Sequence, residues 1–430
     1  MSPLPETSTH SALAIHGGPQ VRTTPMPVRR LFDEGDKRAV VDLFDRAIAE
    51  GSHLLGYNGP QEEAYCQAFC QFMGGGYADG VNSGTNAVYV ALRAMELEPF
   101  SEVIVPPITD PGGVMPVVMC QLVPVPADSE TDSYNIDPAS IEAKITPRTS
   151  AIVVAHISGR PADMDAIMAI ARRHNLKVIE DCAQAHGARY KGRPVGAIGD
   201  AASFSTMFGK HHASGGQGGL VYTRDEPTYW KIRQHADRGK PFGLDAANGN
   251  VAADLNCNMD ELHATIGLNQ ISKLPDHLSH IRQLARHIAE GVRPLRAVHM
   301  LEDQPDCEGA YWFIVFRLDT DKLPGDKAAF VEALNAEGVP FVDSYLHSPA
   351  VWPWFEKRSA FGTSQLPWRV PDAQGDAAPD VASAPQLPQL LEVERTHFSI
   401  KVHEGYSKPD ADDIVAVLRK VETAWLDGSN

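Results

Sequence analysis

The chain has 430 residues, 43% hydrophobic and 22% charged, the make-up of a soluble globular protein with room for two or three domains. Lys and Arg number 38 against 55 Asp and Glu, a net charge of −17, which argues against a nucleic-acid backbone or an anionic membrane as partner. No stretch has the apolar core of a signal peptide or the length to span a bilayer, and the six cysteines form no CxxC pair, so a reducing cytoplasm is expected.

Residues 1–34 read as an irregular arm broken by prolines. From Asp36 to Glu50, Val40, Val41, Leu43, Phe44, Ala47 and Ile48 recur at helical spacing. A second helix runs from about Gln61 to Met73 and stops at three glycines. Helical patterns follow over Val88–Leu97, Val114–Cys120, Pro138–Lys144 and Met164–His174. Between them the short apolar runs Val103–Val105, Leu122–Val125, Ala151–Ala155 and Leu176–Glu180 read as strands. Strands without polar alternation, separated by helices, imply a mostly parallel sheet covered on both faces, hence an α/β fold. Leu220–Tyr222 adds a strand, and helices are expected near 227–237, 259–273 and 276–292. The pattern then changes to a strand over Tyr311–Leu318 and helices over Lys327–Glu337 and Pro409–Trp425. A large domain over 35–275 and a smaller α+β domain over 276–430 result. The Pro-, Ala- and Asp-rich stretch at 359–391 reads as a surface excursion.

Three stretches carry chemistry. Ala201–Gly219 opens as a small-residue strand, passes through Lys210 and ends in Gly-Gly-Gln-Gly-Gly. A lysine just beyond a strand end stands where α/β folds bind ligands, and a partly neutral amine there can form a Schiff base with an aldehyde cofactor; a surface lysine in a flexible loop is the other reading. Ser83-Gly84-Thr85 at a helix start offers amides and hydroxyls to an anion, or equally an ordinary N-cap. Asp181 follows the strand Lys177–Glu180, again at the ligand-binding edge.

These stretches fall in one order with His156-Ile157-Ser158-Gly159, Glu180-Asp181-Cys182-Ala183-Gln184-Ala185-His186-Gly187 and Asn256-Cys257-Asn258-Met259-Asp260-Glu261-Leu262. The order resembles the DegT/StrS family of pyridoxal-phosphate aminotransferases, which act on keto-sugars and keto-cyclitols. The resemblance runs from about Ala12 to Leu346 and implies an aspartate-aminotransferase-like fold (PLP fold type I), working as a homodimer with shared active sites. It further implies pyridoxal 5'-phosphate as cofactor, glutamate or glutamine as amino donor, and no metal. Lys210 would then be the Schiff-base lysine, and Asp181 the partner of the pyridine nitrogen. Gln184 would lie against the ring or its phenolate oxygen. Gly84, Thr85 and Ser205 would hold the phosphate, with Ser83 and Asp110 also among the cofactor-binding residues, and Asn256 would reach the phosphate of the neighbouring subunit. His156 matches a histidine near the cofactor and joins Lys210 and Asp181 as a catalytic candidate.

The chain departs from the family pattern in three places. Asp110 stands where an aromatic residue usually stacks on the cofactor ring, so it faces cofactor, substrate or partner instead. The glycine loop is Gly-Gly-Gln-Gly-Gly where Gly-Glu-Gly-Gly is usual, and Asn258 replaces an arginine. Sugar dehydratases on this fold carry histidine in place of the lysine; Lys210 speaks against that activity, while His211 beside it keeps the reading open. A regulatory protein on the same fold would be expected to lose Lys210, Asp181 and Ser205. Asp163 reads as a helix N-cap, His211-His212 as loop packing or cofactor-edge contact, and Arg238 and Lys240 as candidates for the donor carboxylate.

Overall fold

The computed structural model describes residues 13–245, 248–323, 325–369 and 386–427. In chain order the first part contains α1 (Glu34–Glu50), α2 (Pro60–Phe72), β1 (Tyr77–Val81), α3 (Gly84–Ala94), β2 (Glu102–Val105), α4 (Met115–Met119), β3 (Val123–Pro126), α5 (Pro138–Lys144), β4 (Thr149–Ala155), α6 (Met164–His174) and β5 (Lys177–Asp181). A small hairpin, β6 (Arg189–Tyr190) and β7 (Arg193–Pro194), precedes β8 (Ala201–Ser205), β9 (Gly219–Thr223), α7 (Glu226–Ala236), α8 (Glu261–Ile271) and α9 (Leu274–Val292).

Seven of these strands form one sheet in the order β1-β9-β8-β5-β4-β2-β3. The run from β8 to β3 is parallel, while β9 pairs antiparallel with both β8 and β1. The expected α/β sheet is therefore present, with β9 the one strand that runs against the other six and β1 beyond it at the end. Strand β1 was not expected, because Tyr-Ala-Asp-Gly-Val interrupts its apolar residues with an aspartate and a glycine. Its Asp79 is buried, and Arg233 of α7 lies 3.0 Å from it. The sheet has a core on each face: Ile104, Ile152, Val178 and Phe204 point to one, Val103, Val105, Val153 and Ile179 to the other. Burial on both faces explains why the strands read as unbroken apolar runs.

Aspartates set many helix starts. Asp33, Asp137, Asp163, Asp225 and Asp260 each accept from an amide of the first turn, satisfying donors that lack an intrahelical partner. Asp163 is the N-cap its position suggested, accepting from Ala166 N at 3.2 Å.

A second sheet holds β10 (Val298–Met300), β11 (Ile314–Leu318) and β12 (His397–Ile400), all antiparallel. The helices that follow α9 are α10 (Lys327–Ala336), α11 (Pro353–Glu356), α12 (Pro388–Thr396) and α13 (Lys408–Leu426). Its core joins Phe316, Phe330, Phe398 and Trp425 to α9 residues such as Ile288, and to Leu13 of the arm. The surface excursion expected at 359–391 needs a correction at its end: residues 388–391 belong to α12, which buries Leu390 and Val393, and β12 follows directly. Residues 370–385 of that stretch, like 1–12, lie outside the described residues. Just before it, Phe355 and Trp368 pack on Val118 and Val123, placing aromatic bulk beside the edge strand β3.

Candidate active site

The site forms where β5, β8 and the N-terminus of α3 meet. Beyond β8 the chain makes a closed loop: Thr206 N donates to Gly218 O at 2.9 Å, Ser214 N donates to Thr206 O at 2.9 Å, and the two hydroxyls are 2.6 Å apart. Gly218 packs directly against both hydroxyl side chains, so this glycine serves loop closure. Lys210 sits within the loop, its amide bonded to Met207 O at 2.9 Å and its side chain 6% exposed. The Nζ lies 4.1 Å from the centroid of the Trp312 ring, a cation–π distance.

A cavity of about 260 Å³ opens here. The start of α3 contributes Ser83, Gly84 and Thr85; the strand ends contribute Asp181 and Ser205; Asp110 and Lys210 complete the set. Seven sequence candidates, spread over 128 positions from Ser83 to Lys210, thus converge on one space. Packing around it is close. A Cβ on Gly84 would stand 2.5 Å from Ser205 Cβ, and one on Gly113 would stand 2.8 Å from Asp181 Oδ2. Met207 and Gln217 also line the cavity and had carried no expectation. Trp312 was missed as well, because nothing in the sequence pairs a residue at the lead-in to β11 with one a hundred positions earlier.

Burial lowers the Lys210 amine to about 8; Asp181 and Asp110 oppose this, and Lys401 adds to it. The cost of holding an ammonium away from water outweighs the nearby carboxylates. Burial likewise raises Asp181, against the Ala183 amide and the Lys210 charge. Ala183 N donates to Oδ1 at 3.0 Å.

Three candidates stand outside this cavity's lining. His156 is fully buried: Ala162 N donates to its Nδ1 at 3.1 Å, so Nε2 carries the proton and donates to Glu180 Oε2 at 3.0 Å. Glu180 also accepts from the amides of Gly196, Ile198 and Gly199. These bonds occupy the very atoms with which His156, Glu180 and nearby Cys182 would hold a metal ion. For Glu180, burial alone would raise the carboxyl, but His156 and the loop amides outweigh it and hold it below the usual range. The backbone of His156 bonds Asp181 O, so the histidine buttresses the strand end that carries Asp181. Gln184 Oε1 accepts from Ser158 N at 2.8 Å and its Nε2 donates to Tyr345 OH at 2.6 Å. Asn256 is exposed, its Oδ1 accepting from Asn258 Nδ2 at 2.7 Å.

Ser83 Oγ accepts from Asn86 N at 3.1 Å, so the capping reading applies to this residue, beside a cavity-lining Gly84 and Thr85. Asp110 is also a cap, accepting from Gly112 N at 3.0 Å in the turn Pro111–Gly113. His211 and His212 are buried anchors. His211 Nε2 lies 3.1 Å from Ala310 O; His212 lies 2.7 Å from Tyr65 OH and 2.9 Å from His186 Nδ1. Burial pushes both down to about 3, so they stay neutral, and neither lines the cavity. The dehydratase reading, which leaned on His211, gains nothing from this placement.

A buried lysine whose amine is lowered to about 8 beyond one strand of an α/β sheet, a buried carboxylate at the end of the next, and a helix N-terminus beside them define an enzyme of the aminotransferase class. The chain belongs to the DegT/DnrJ/EryC1/StrS aminotransferase family, whose model matches residues 45–392. It is 32% identical over 425 residues to a putative L-glutamine:3-amino-2,3-dideoxy-scyllo-inosose aminotransferase of Streptoalloteichus tenebrarius, covering 96% of this chain and 97% of that protein. It is 29% identical to a dTDP-3-amino-3,4,6-trideoxy-alpha-D-glucose transaminase of Streptomyces venezuelae, over 87% of this chain and 90% of that one. Among solved structures, an aminotransferase from Psychrobacter cryohalolentis superposes with a TM-score of 0.78 at 29% identity, covering 94% of this chain and 99% of that one.

Proposed function

We propose that this protein moves an amino group from glutamate or glutamine to the ketone of a sugar or cyclitol, with pyridoxal 5'-phosphate in the cavity beside Lys210. The observation that carries the reading is the convergence of a poised amine, a buried carboxylate and a helix N-terminus on one space. The residues fit such a cofactor. Asp181 suits a protonated ring nitrogen, because a cation placed against it offsets the burial that raises its carboxyl. Gly84, Thr85 and Ser205 suit a phosphate, since a helix start favours an anion and Gly84 leaves no room for a side chain against Ser205. When bound, the cofactor supplies an electron-withdrawing ring that stabilises negative charge at the substrate carbon.

Lys210 then acts at Nζ. As a neutral amine it would take the proton from the amino-bearing carbon and deliver it to the carbon on the far side of the nitrogen, general acid–base work worth about 10²–10⁴ in rate. His156 and Gln184 are positioning residues: the first braces Asp181, the second holds the Tyr345 hydroxyl. The large domain at 35–275, the arm at 1–34 and the small domain at 276–430 remain our division of the chain. We place the enzyme in the cytoplasm as a homodimer, with Asn256 reaching the neighbouring site. Among the described residues no helix is long and apolar enough to cross a membrane.

The test is transfer of label. The enzyme is given ¹⁵N-amino glutamate or glutamine with either a keto-cyclitol or a nucleotide-linked keto-sugar. One acceptor should gain ¹⁵N, with Lys210→Ala inactive. A dehydrated sugar without nitrogen, or transfer undiminished in the variant, would reject the reading.

A further inference from the structure

Lys401 follows β12, and its Nζ lies 5.4 Å from the centroid of the Trp312 ring, the indole that also carries Lys210 Nζ at 4.1 Å. The indole is fixed, for Trp312 Nε1 donates to Gly209 O at 3.2 Å, one residue before the lysine. Lys401 is exposed, and among the described residues no carboxylate pairs with it. The other cations weighed for such a role are already engaged. Arg29 binds Glu404 at 2.9 Å and Gly209 O at 2.9 Å. Arg238 and Lys240, the candidates on charge alone, lie 2.8 and 2.6 Å from Asp237 and both bond Tyr57 OH.

We infer that Lys401 docks the α-carboxylate of the amino donor, with Trp312 as the wall that holds both lysines in register. This rests on the aminotransfer reading above. The choice of a carboxylate follows from connectivity: it is bonded to the carbon that bears the reacting amine, so its cation must stand close to Lys210. The diphosphate of a nucleotide-linked acceptor lies several bonds from its ketone and needs no cation against this indole. A free ammonium also retains its full capacity for a charge-assisted hydrogen bond, which an ion-paired one has spent.

The test compares wild type, Lys401→Met and Lys401→Arg in holoenzyme, and the exposure of Lys401 makes both variants compatible with folding. Removing one charged hydrogen bond should raise the donor KM about 10- to 100-fold in Lys401→Met, with kcat changed far less, and Lys401→Arg should recover most of the loss. The acceptor KM should not move. Calorimetric binding of glutarate, a dicarboxylate without an amine, should weaken by a similar factor in Lys401→Met. An unchanged donor KM, an effect confined to a phosphate-bearing acceptor, or unchanged glutarate binding would each overturn the inference. If wild type transfers no amine at all, the aminotransfer reading fails, and glutarate binding still judges Lys401 separately.

Discussion

In the proposed reading the chemistry rests on the Lys210 amine. It is brought from 10.5 to about 8 chiefly by burial, with the carboxylates of Asp181 and Asp110 limiting the drop. The sign is that of a buried cation: below pH 8 the folded protein carries an ammonium in a poorly solvated place, and that penalty is relieved as pH rises from about 8 towards 10.5. Reactivity follows the neutral form. Apoprotein exposed to an aldehyde and then borohydride should be labelled at Lys210 at a rate that is half-maximal near pH 8. Mass spectrometry of the peptide containing Lys210 reads this out. Asp181→Asn removes a charge that favours the ammonium and should shift the midpoint down. A rate still climbing through pH 10, as for an exposed lysine, would contradict the burial argument.

At the scale of elements, the junction of β8 and α3 sets the tolerance of the site. The Gly84→Ala methyl would stand 2.5 Å from Ser205 Cβ and 3.1 Å from its Cα, and backbone at a strand end cannot move aside freely. Overpacking of this kind costs roughly 1–3 kcal/mol, so cofactor affinity measured by equilibrium dialysis should fall about 5- to 150-fold. Wild-type affinity in Gly84→Ala would show that the junction is looser than its geometry. Elements with unbroken apolar runs or regular helical spacing, such as β4, β5, α6 and α9, were legible in the sequence because burial on one stripe or both faces writes a clear pattern. Strands β1, β10 and β12 were not. Each is five residues or fewer and carries a polar residue, Asp79, His299 or Ser399, and the partner of Asp79 is Arg233, distant in sequence. The site divided in the same way. Ser83-Gly84-Thr85, Asp181 and Lys210 drew attention by their places at a helix start and at strand ends, whereas Asp110 and Ser205 entered only through the family resemblance; all of them line the cavity. Trp312 and Lys401 were hidden because their relevance is a contact between distant segments, which no local spacing encodes.

The whole molecule poses the question of assembly. On α1, Leu43 and Ala47 are buried, but Val41, Phe44 and Ile48 are 47, 43 and 82% exposed at spacing i, i+3, i+7. That is a second apolar stripe on a helix whose first stripe is already used. Fully covering residues of this kind is worth about 1.5–3 kcal/mol each, enough to contribute to a stable interface between subunits. Asn256, which we propose completes a neighbouring site, is exposed in the single chain. If the α1 face is part of the dimer contact, Phe44→Asp combined with Ile48→Asp should halve the mass measured by sedimentation equilibrium while far-ultraviolet circular dichroism stays unchanged. The monomer should then bind cofactor more weakly. Asn256→Ala should reproduce the weaker binding without changing the mass, which separates loss of the contact from loss of the shared ligand. A double variant that stays dimeric would move the interface off α1, and a monomeric wild type with full activity would reject shared sites altogether.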